Sequence, residues 1–318
     1  MSDLSLLAAS PGRVVARQSV LYIFRERTVA LLAGLFVVLV MVSAYLGWSA
    51  TTTVNSIYND AVVYLTSQNQ PIPPNPVHDV SPLSLMRNMS IYVSLIGALA
   101  AIVIGYQLIA SDRKSGVVPL IGSRPLSRAD YLQGKIRALL ATNGVLMGIA
   151  AAIATLTFLI LPQVSLSIGG WAKLFLFFVL AYGYMILFGL IALGTAARAR
   201  SESVGLLVPV TIWLTVTFIL PSLTANIHPT AAINPISALA PPPDTAFFHW
   251  SGWLIGPLSL AESFKFLSAG LLDYLPATTM SHSLVPPLPD LLIALIGVTV
   301  FATRSVMTMN FTRGEFDV

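Results

Sequence analysis

Apolar residues in this chain fall into long blocks rather than into an alternating or a sparse helical pattern. Five stretches, residues 29–47, 89–110, 138–161, 174–197 and 204–223, contain no Asp, Glu, Lys or Arg. Coiled as helices at about 1.5 Å per residue, each covers most or all of a hydrocarbon core about 30 Å thick. A sixth, 291–311, carries Arg304 and is kept as a span with that side chain snorkelling to the inner face. The first stretch is longer than the apolar region of a cleaved signal, about 7–15 residues, and is read as an uncleaved anchor. The pattern predicts an all-α membrane protein with six transmembrane helices in one domain, residues 1–318, with a segment 1–28 ahead of the first span and a long segment 224–288 ahead of the last.

Composition supports lipid as the main solvent of these blocks. Hydrophobic residues make up 56% of the 318 and charged residues 9%, where soluble domains carry roughly a quarter charged. The absence of cysteine removes disulfides, thiolate metal sites and thiol nucleophiles. The net charge of +4 matters less than its placement. On one side of the spans lie Arg13, Arg17, Arg25, Arg27, Arg113, Lys114, Arg124, Arg128, Lys135, Arg137, Arg198, Arg200, Arg304 and Arg313; on the other lie only Arg87, Lys173 and Lys265. Basic flanks stay inside, so both termini are expected in the cytoplasm of a cell whose inner membrane holds the protein. Basic runs are not interleaved with aromatics, and a nucleic-acid partner is unsupported.

Between the first two spans, the Pro- and Asn-rich residues 70–78 cannot continue a helix and are expected as an irregular external loop. In 224–288, Leu260, Phe264, Leu267 and Leu271 recur at helical spacing while Ser259, Glu262 and Lys265 fall elsewhere on the wheel. A helix over 258–272 that lies on or dips into the outer interface suits this pattern. A seventh crossing would place Arg304 and Arg313 outside, against the charge rule. His78, His228, His249 and His282 all fall on the outer side near Met86, Met89 and Met280, but none shows ligand spacing and no metal is assigned. Small residues at Gly97, Ala101 and Gly105, and at Gly144, Gly148 and Ala152, permit close helix contact within one chain or between two. Trp48 and Trp171 are placed to anchor in the interface.

The inner loop between the second and third spans is the densest in candidate chemistry. Pro125 stops what precedes it, and Ser127 with Asp130 three residues on forms a capping-box variant. A short helix presenting Arg124, Arg128 and Tyr131 to the cytoplasm is predicted. By spacing alone this could equally be a basic loop that sets topology and touches lipid phosphates. The loop resembles the signature segment of ABC-2 type permeases, with Asp112, Gly116, Leu120, Arg124, Pro125, Leu126, Ser127, Arg128, Gly134 and Lys135 filling its places. It departs at Asp112, where Glu is commoner, and at Val117, where Thr is common. Among those permeases it most resembles the ones associated with nitrous-oxide reductase maturation. The resemblance implies a six-span exporter permease whose loop is a coupling helix, carried by Asp112, Gly116, Arg124, Pro125, Leu126, Ser127, Arg128, Asp130 and Tyr131, docking on a separate ABC ATPase subunit. It also implies re-entrant external helices before the last span, ATP and Mg bound by the partner, and pairing as a homodimer or heterodimer.

The chain lacks a phosphate-cradling loop of its own: Gly134-Lys135 is followed by Ile136, with no glycine five residues earlier. Arg198 and Arg200 in the inner loop after the fourth span offer a second ATPase contact, or a topogenic turn. No carboxylate or histidine lies within the spans, where ion-coupled transporters and intramembrane enzymes place them. Two other readings stay open: a non-transport scaffold of a larger membrane complex, and a membrane-embedded hydrolase or transferase, for which no catalytic constellation is present.

Overall fold

The structure is a computed structural model and describes residues 10–75, 81–114, 116, 118, 126–160, 166–224, 246–274 and 288–309. Helix α1 (Pro11–Arg25) ends at Glu26, whose extended backbone (φ −74°, ψ 118°) turns the chain into α2 (Arg27–Ser67). The second span, α3 (Pro82–Lys114), starts with a tight turn at Pro82 and contains a wide π turn at Val93–Gly97. There follow α4 (Arg128–Ile160), α5 (Ile168–Arg198) and α6 (Glu202–Leu223), the last with a second π turn at Thr215–Ile219. Short helices α7 (Ala246–Ile255) and α8 (Leu260–Leu271) precede α9 (Leu288–Met307). The protein is an all-α membrane protein with six helices long and apolar enough to span, α2 to α6 and α9.

The bundle is organised around α3 and α5. Of their most apolar windows 78% and 67% are buried, against 22–33% in the other four spans, which therefore form the lipid-facing ring. Close approach of the two central helices depends on Gly105, where a Cβ would overlap the carbonyl oxygen of Gly189. Gly194 serves the α5–α9 crossing in the same way, because a Cβ there would lie 2.6 Å from the Phe301 ring. Gly144 and Gly148 of α4 are not used like this; the nearest atom to a Cβ at 144 is 3.8 Å away, and at 148 there is open space. Trp213 of α6 donates its indole N–H to the Ser94 carbonyl oxygen at 3.1 Å, joining the regions of the two π turns.

Several helices run past the apolar stretches that predicted them, because a helix continues through polar residues once it is nucleated. The largest difference is α2, 41 residues and about 60 Å long. Beyond Gly47 it is carried by a Ser/Thr/Asn-rich segment, with Thr51, Thr52 and Thr53 bonding carbonyls one turn back at 2.9–3.1 Å. The described part of the predicted irregular loop, residues 70–75, folds back along it: Tyr58 donates to the Pro73 carbonyl at 2.9 Å and Asn75 to Asn55 at 3.1 Å. Arg304 sits exposed in the last turn of α9, where a cation complements the helix dipole. The expected end of that span at residue 311 lies outside the described residues.

Before α9, helices α7 and α8 follow one another through a short turn at Gly256–Ser259. Ser251 of α7 bonds the Leu223 carbonyl at the end of α6 (2.7 Å), and Trp250, Trp253 and Leu254 face outward. Helix α8, twelve residues and about 18 Å, is too short to cross. It packs against α3, α5, the π turn of α6 and α9, with Phe264 stacked on Tyr184 at 4.4 Å. The stripe predicted from Leu260, Phe264, Leu267 and Leu271 is the face that packs. No residue of α8 is fully exposed, so the helix lies inside the bundle wall rather than on an interface.

Candidate coupling site

The basic residues gather at one end of the bundle, where α1, the ends of α3, α5 and α9, and the starts of α4 and α6 come together. Ser127 caps α4: its Oγ accepts from the Asp130 backbone N–H at 3.0 Å and bonds the Asp130 carboxylate at 2.6 Å. The capping box was legible, but the helix it starts is the 33-residue span itself, not a short helix in the loop. Tyr131 is fully buried rather than presented outward. The cause is α1, which lies across the first turns of α4. A Cβ on Gly12 would lie 3.1 Å from the Asp130 carbonyl oxygen, and one on Gly134 would lie 2.6 Å from Val15.

Beneath α1 the Asp112 carboxylate, in the last turn of α3, accepts from the Tyr131 hydroxyl at 2.8 Å and pairs with Lys135 at 2.7 Å. The Lys135 side chain is only 3% exposed; its ammonium also donates to Ser19 of α1 at 3.1 Å and lies 5.2 Å from the Tyr131 ring centre. Four groups from three helices thus satisfy one another, with Lys135 and Tyr131 out of water and Asp112 about a fifth exposed. The pair spends its charge on desolvation and on each other, and its main consequence is orientation. On α1 itself, burial pushes the Tyr22 hydroxyl above its ordinary pKa, and the nearby Glu26 carboxylate adds to the rise.

Neighbouring cations cap helices. Arg113, buried, donates to the Ala196 and Ala199 carbonyls at 2.8 and 2.7 Å, satisfying the end of α5. Arg128 donates to the Met307 carbonyl at 2.9 Å at the end of α9. Lys114 pairs with Glu202 of α6 at 2.8 Å, half-exposed. Gly116 adopts φ 64° after α3, a left-handed turn that favours glycine. Leu126 packs on the core from the loop side. Arg198, 5.9 Å from the Phe301 ring, and Arg200 are exposed. Arg124 and Pro125 lie outside the described residues.

Residues 13–285 match the family described as ABC-2 family transporter protein. The chain belongs to that family. Membership covers most of the chain, from α1 through α7 and α8, and makes this a multi-pass permease subunit of an ABC transporter. No curated protein matches it.

Sequence reading placed Ser127 and Asp130 as the cap and Arg128 outward, as observed, but also presented Tyr131 to the cytoplasm, where the structure buries it. What it missed is the inward set: Ser19, Arg113 and the partnering of Lys135. A usable signal was present, since Tyr131 and Lys135 stand one turn apart on one helix face. Among the described residues, no three His, Asp or Glu side chains converge as a metal site. His78, His228 and His282 lie outside the described residues.

Proposed function

We propose that this ABC-2 permease moves a cargo across the cytoplasmic membrane, driven by a separate ABC ATPase subunit that docks on the loop between α3 and α4. In this reading the basic end faces the cytoplasm, as the charge asymmetry favours, and ATP and Mg are held by the partner. Two permeases, identical or homologous, pair around the path. The observation that carries the reading is the bracing of the loop's two roots. The Asp112–Lys135–Tyr131 cluster, with Arg113 and Arg128, ties both ends of residues 115–127 to α1, α5 and α9. A push on that loop is therefore delivered to the bundle as a whole, which is what a lever between a motor and a membrane path requires.

Docking contacts fall to Arg124, Arg198 and Arg200, with Gly116, Pro125 and Leu126 shaping the loop. Asp112, Asp130 and Tyr131 set its position from within, and Arg128 does both. Charge reversal at Arg128 would disturb the cap on α9 as well as docking, so Arg124→Glu and the pair Arg198→Glu/Arg200→Glu are the informative variants. Truncating one partner of a charged contact at an interface costs about 2–5 kcal/mol, more than tenfold in affinity. Capture of the ATPase and its hydrolysis in proteoliposomes are expected to fall by that factor at unchanged permease abundance. Unchanged capture and hydrolysis in both variants would remove the docking role and favour a non-transport scaffold.

A further inference from the structure

The six spans carry no carboxylate in their apolar stretches, but α8, packed among them, brings one, Glu262. Two contacts set its level. At its outer end α8 is followed by Asp273, which pairs with Lys173 of α5 at 2.7 and 2.9 Å. Towards its start, Phe264 stacks on Tyr184. Tyr184 lies eleven residues from Lys173 and fourteen from Arg198, about 16 and 21 Å along α5, so a hydrocarbon core about 30 Å thick that ends at Arg198 reaches about 9 Å beyond it. Glu262 and Lys265 are within one turn of Phe264, at the level of the outer leaflet. They pair at 3.4 Å with side chains 23% and 29% exposed.

Charges at such depth almost always face protein or a water-filled space. These two border open space, because a fifth to a third of each side chain is uncovered. The polar surroundings agree. Tyr184 and Thr217 turn their buried hydroxyls toward one another. The buried hydroxyls of Ser259 and Ser268, at the start of α8 and within it, meet no partner. Water is the ordinary way such groups are satisfied.

We propose that α8 walls a water-filled vestibule open to the outer side, and that Glu262 and Lys265 are its charged lining, past which the polar or charged group of the cargo leaves. The proposal rests on the permease reading for the word cargo, but the vestibule itself is tested without the ATPase. The chain has no native cysteine, so single substitutions report without background. Glu262→Cys, Lys265→Cys and, as lipid-facing controls, Leu254→Cys and Ile296→Cys (68% and 65% exposed) are treated from outside with charged, impermeant methanethiosulfonates. Modification is expected at 262 and 265 and not at the controls. The remaining partner should also select the reagent: the anionic sulfonate reacts several-fold faster at 262, beside Lys265, and the cationic ammonium several-fold faster at 265, beside Glu262. Glu262→Gln/Lys265→Cys leaves no orphaned charge and serves if a single variant folds poorly. Silence at 265 in that folded double variant, or a disulfide there between two copies in place of modification, would overturn the vestibule. Unchanged ATPase capture in the Arg124→Glu and Arg198→Glu/Arg200→Glu variants, with modification intact, would instead overturn the docking reading alone.

Discussion

At the scale of single residues, the most consequential side chain at the basic end is Lys135. Its ammonium has left water, and Asp112, Tyr131 and Ser19 replace the lost solvation. Removing one member of a buried pair leaves the other charge uncompensated, at about 3–5 kcal/mol, whereas removing both can be nearly neutral. Lys135→Met and Asp112→Asn are each expected to lower the unfolding temperature of the purified permease sharply, and Asp112→Asn/Lys135→Met to recover most of the loss. Thermal unfolding followed by size-exclusion fluorescence measures it; a Lys135→Met protein as stable as the parent would show that the pair is not a structural element. The sequence made these residues visible but not their direction. A lysine just before a span reads as a topogenic charge, and only the passage of α1 over Gly134 turns it inward.

At the scale of elements, hydropathy located every span because the cost of exposing apolar surface, or of burying backbone without partners, is a property of local composition. It did not reveal the second half of α2, whose Thr, Ser and Asn residues have weak helix preference and no apolar signal. Nor did it give the depth of α8, which is set by contacts with four other helices. Small residues show the same division between local and tertiary information. Gly105 and Gly148 stand in similar four-residue patterns, but only Gly105 meets a facing backbone. Gly105→Val is expected to abolish folded protein, since the overlap with the Gly189 carbonyl can be relieved only by separating α3 from α5. Gly148→Val is expected to leave the fold and the unfolding temperature unchanged. Equal yields of monodisperse protein from the two variants would contradict the crossing.

At the scale of the whole molecule, the fold bears on the orientation that the charge asymmetry favours. The bundle brings α1, the end of α9 and the loops carrying Arg128, Arg198 and Arg200 to one end, so the residues that the positive-inside rule assigns to the cytoplasm are also neighbours in space. Opposite them, Lys173 pairs with Asp273 at 2.7 Å and Lys265 with Glu262 at 3.4 Å. An inverted molecule would place the basic cluster outside and would set the polar second half of the 41-residue α2 projecting into the cytoplasm, close to where the ATPase would sit. Single cysteines at Arg17 and Arg200 are therefore expected to stay unlabelled by an impermeant maleimide on intact cells and to label after lysis. Cysteines at Asn59 and Ser67, exposed on the projecting half of α2, are expected to label on intact cells. Each site is exposed in the structure, so protection reports the membrane and not burial. Labelling at 200 on intact cells, with protection at 59 and 67, would invert the topology and with it the direction from which a motor could act.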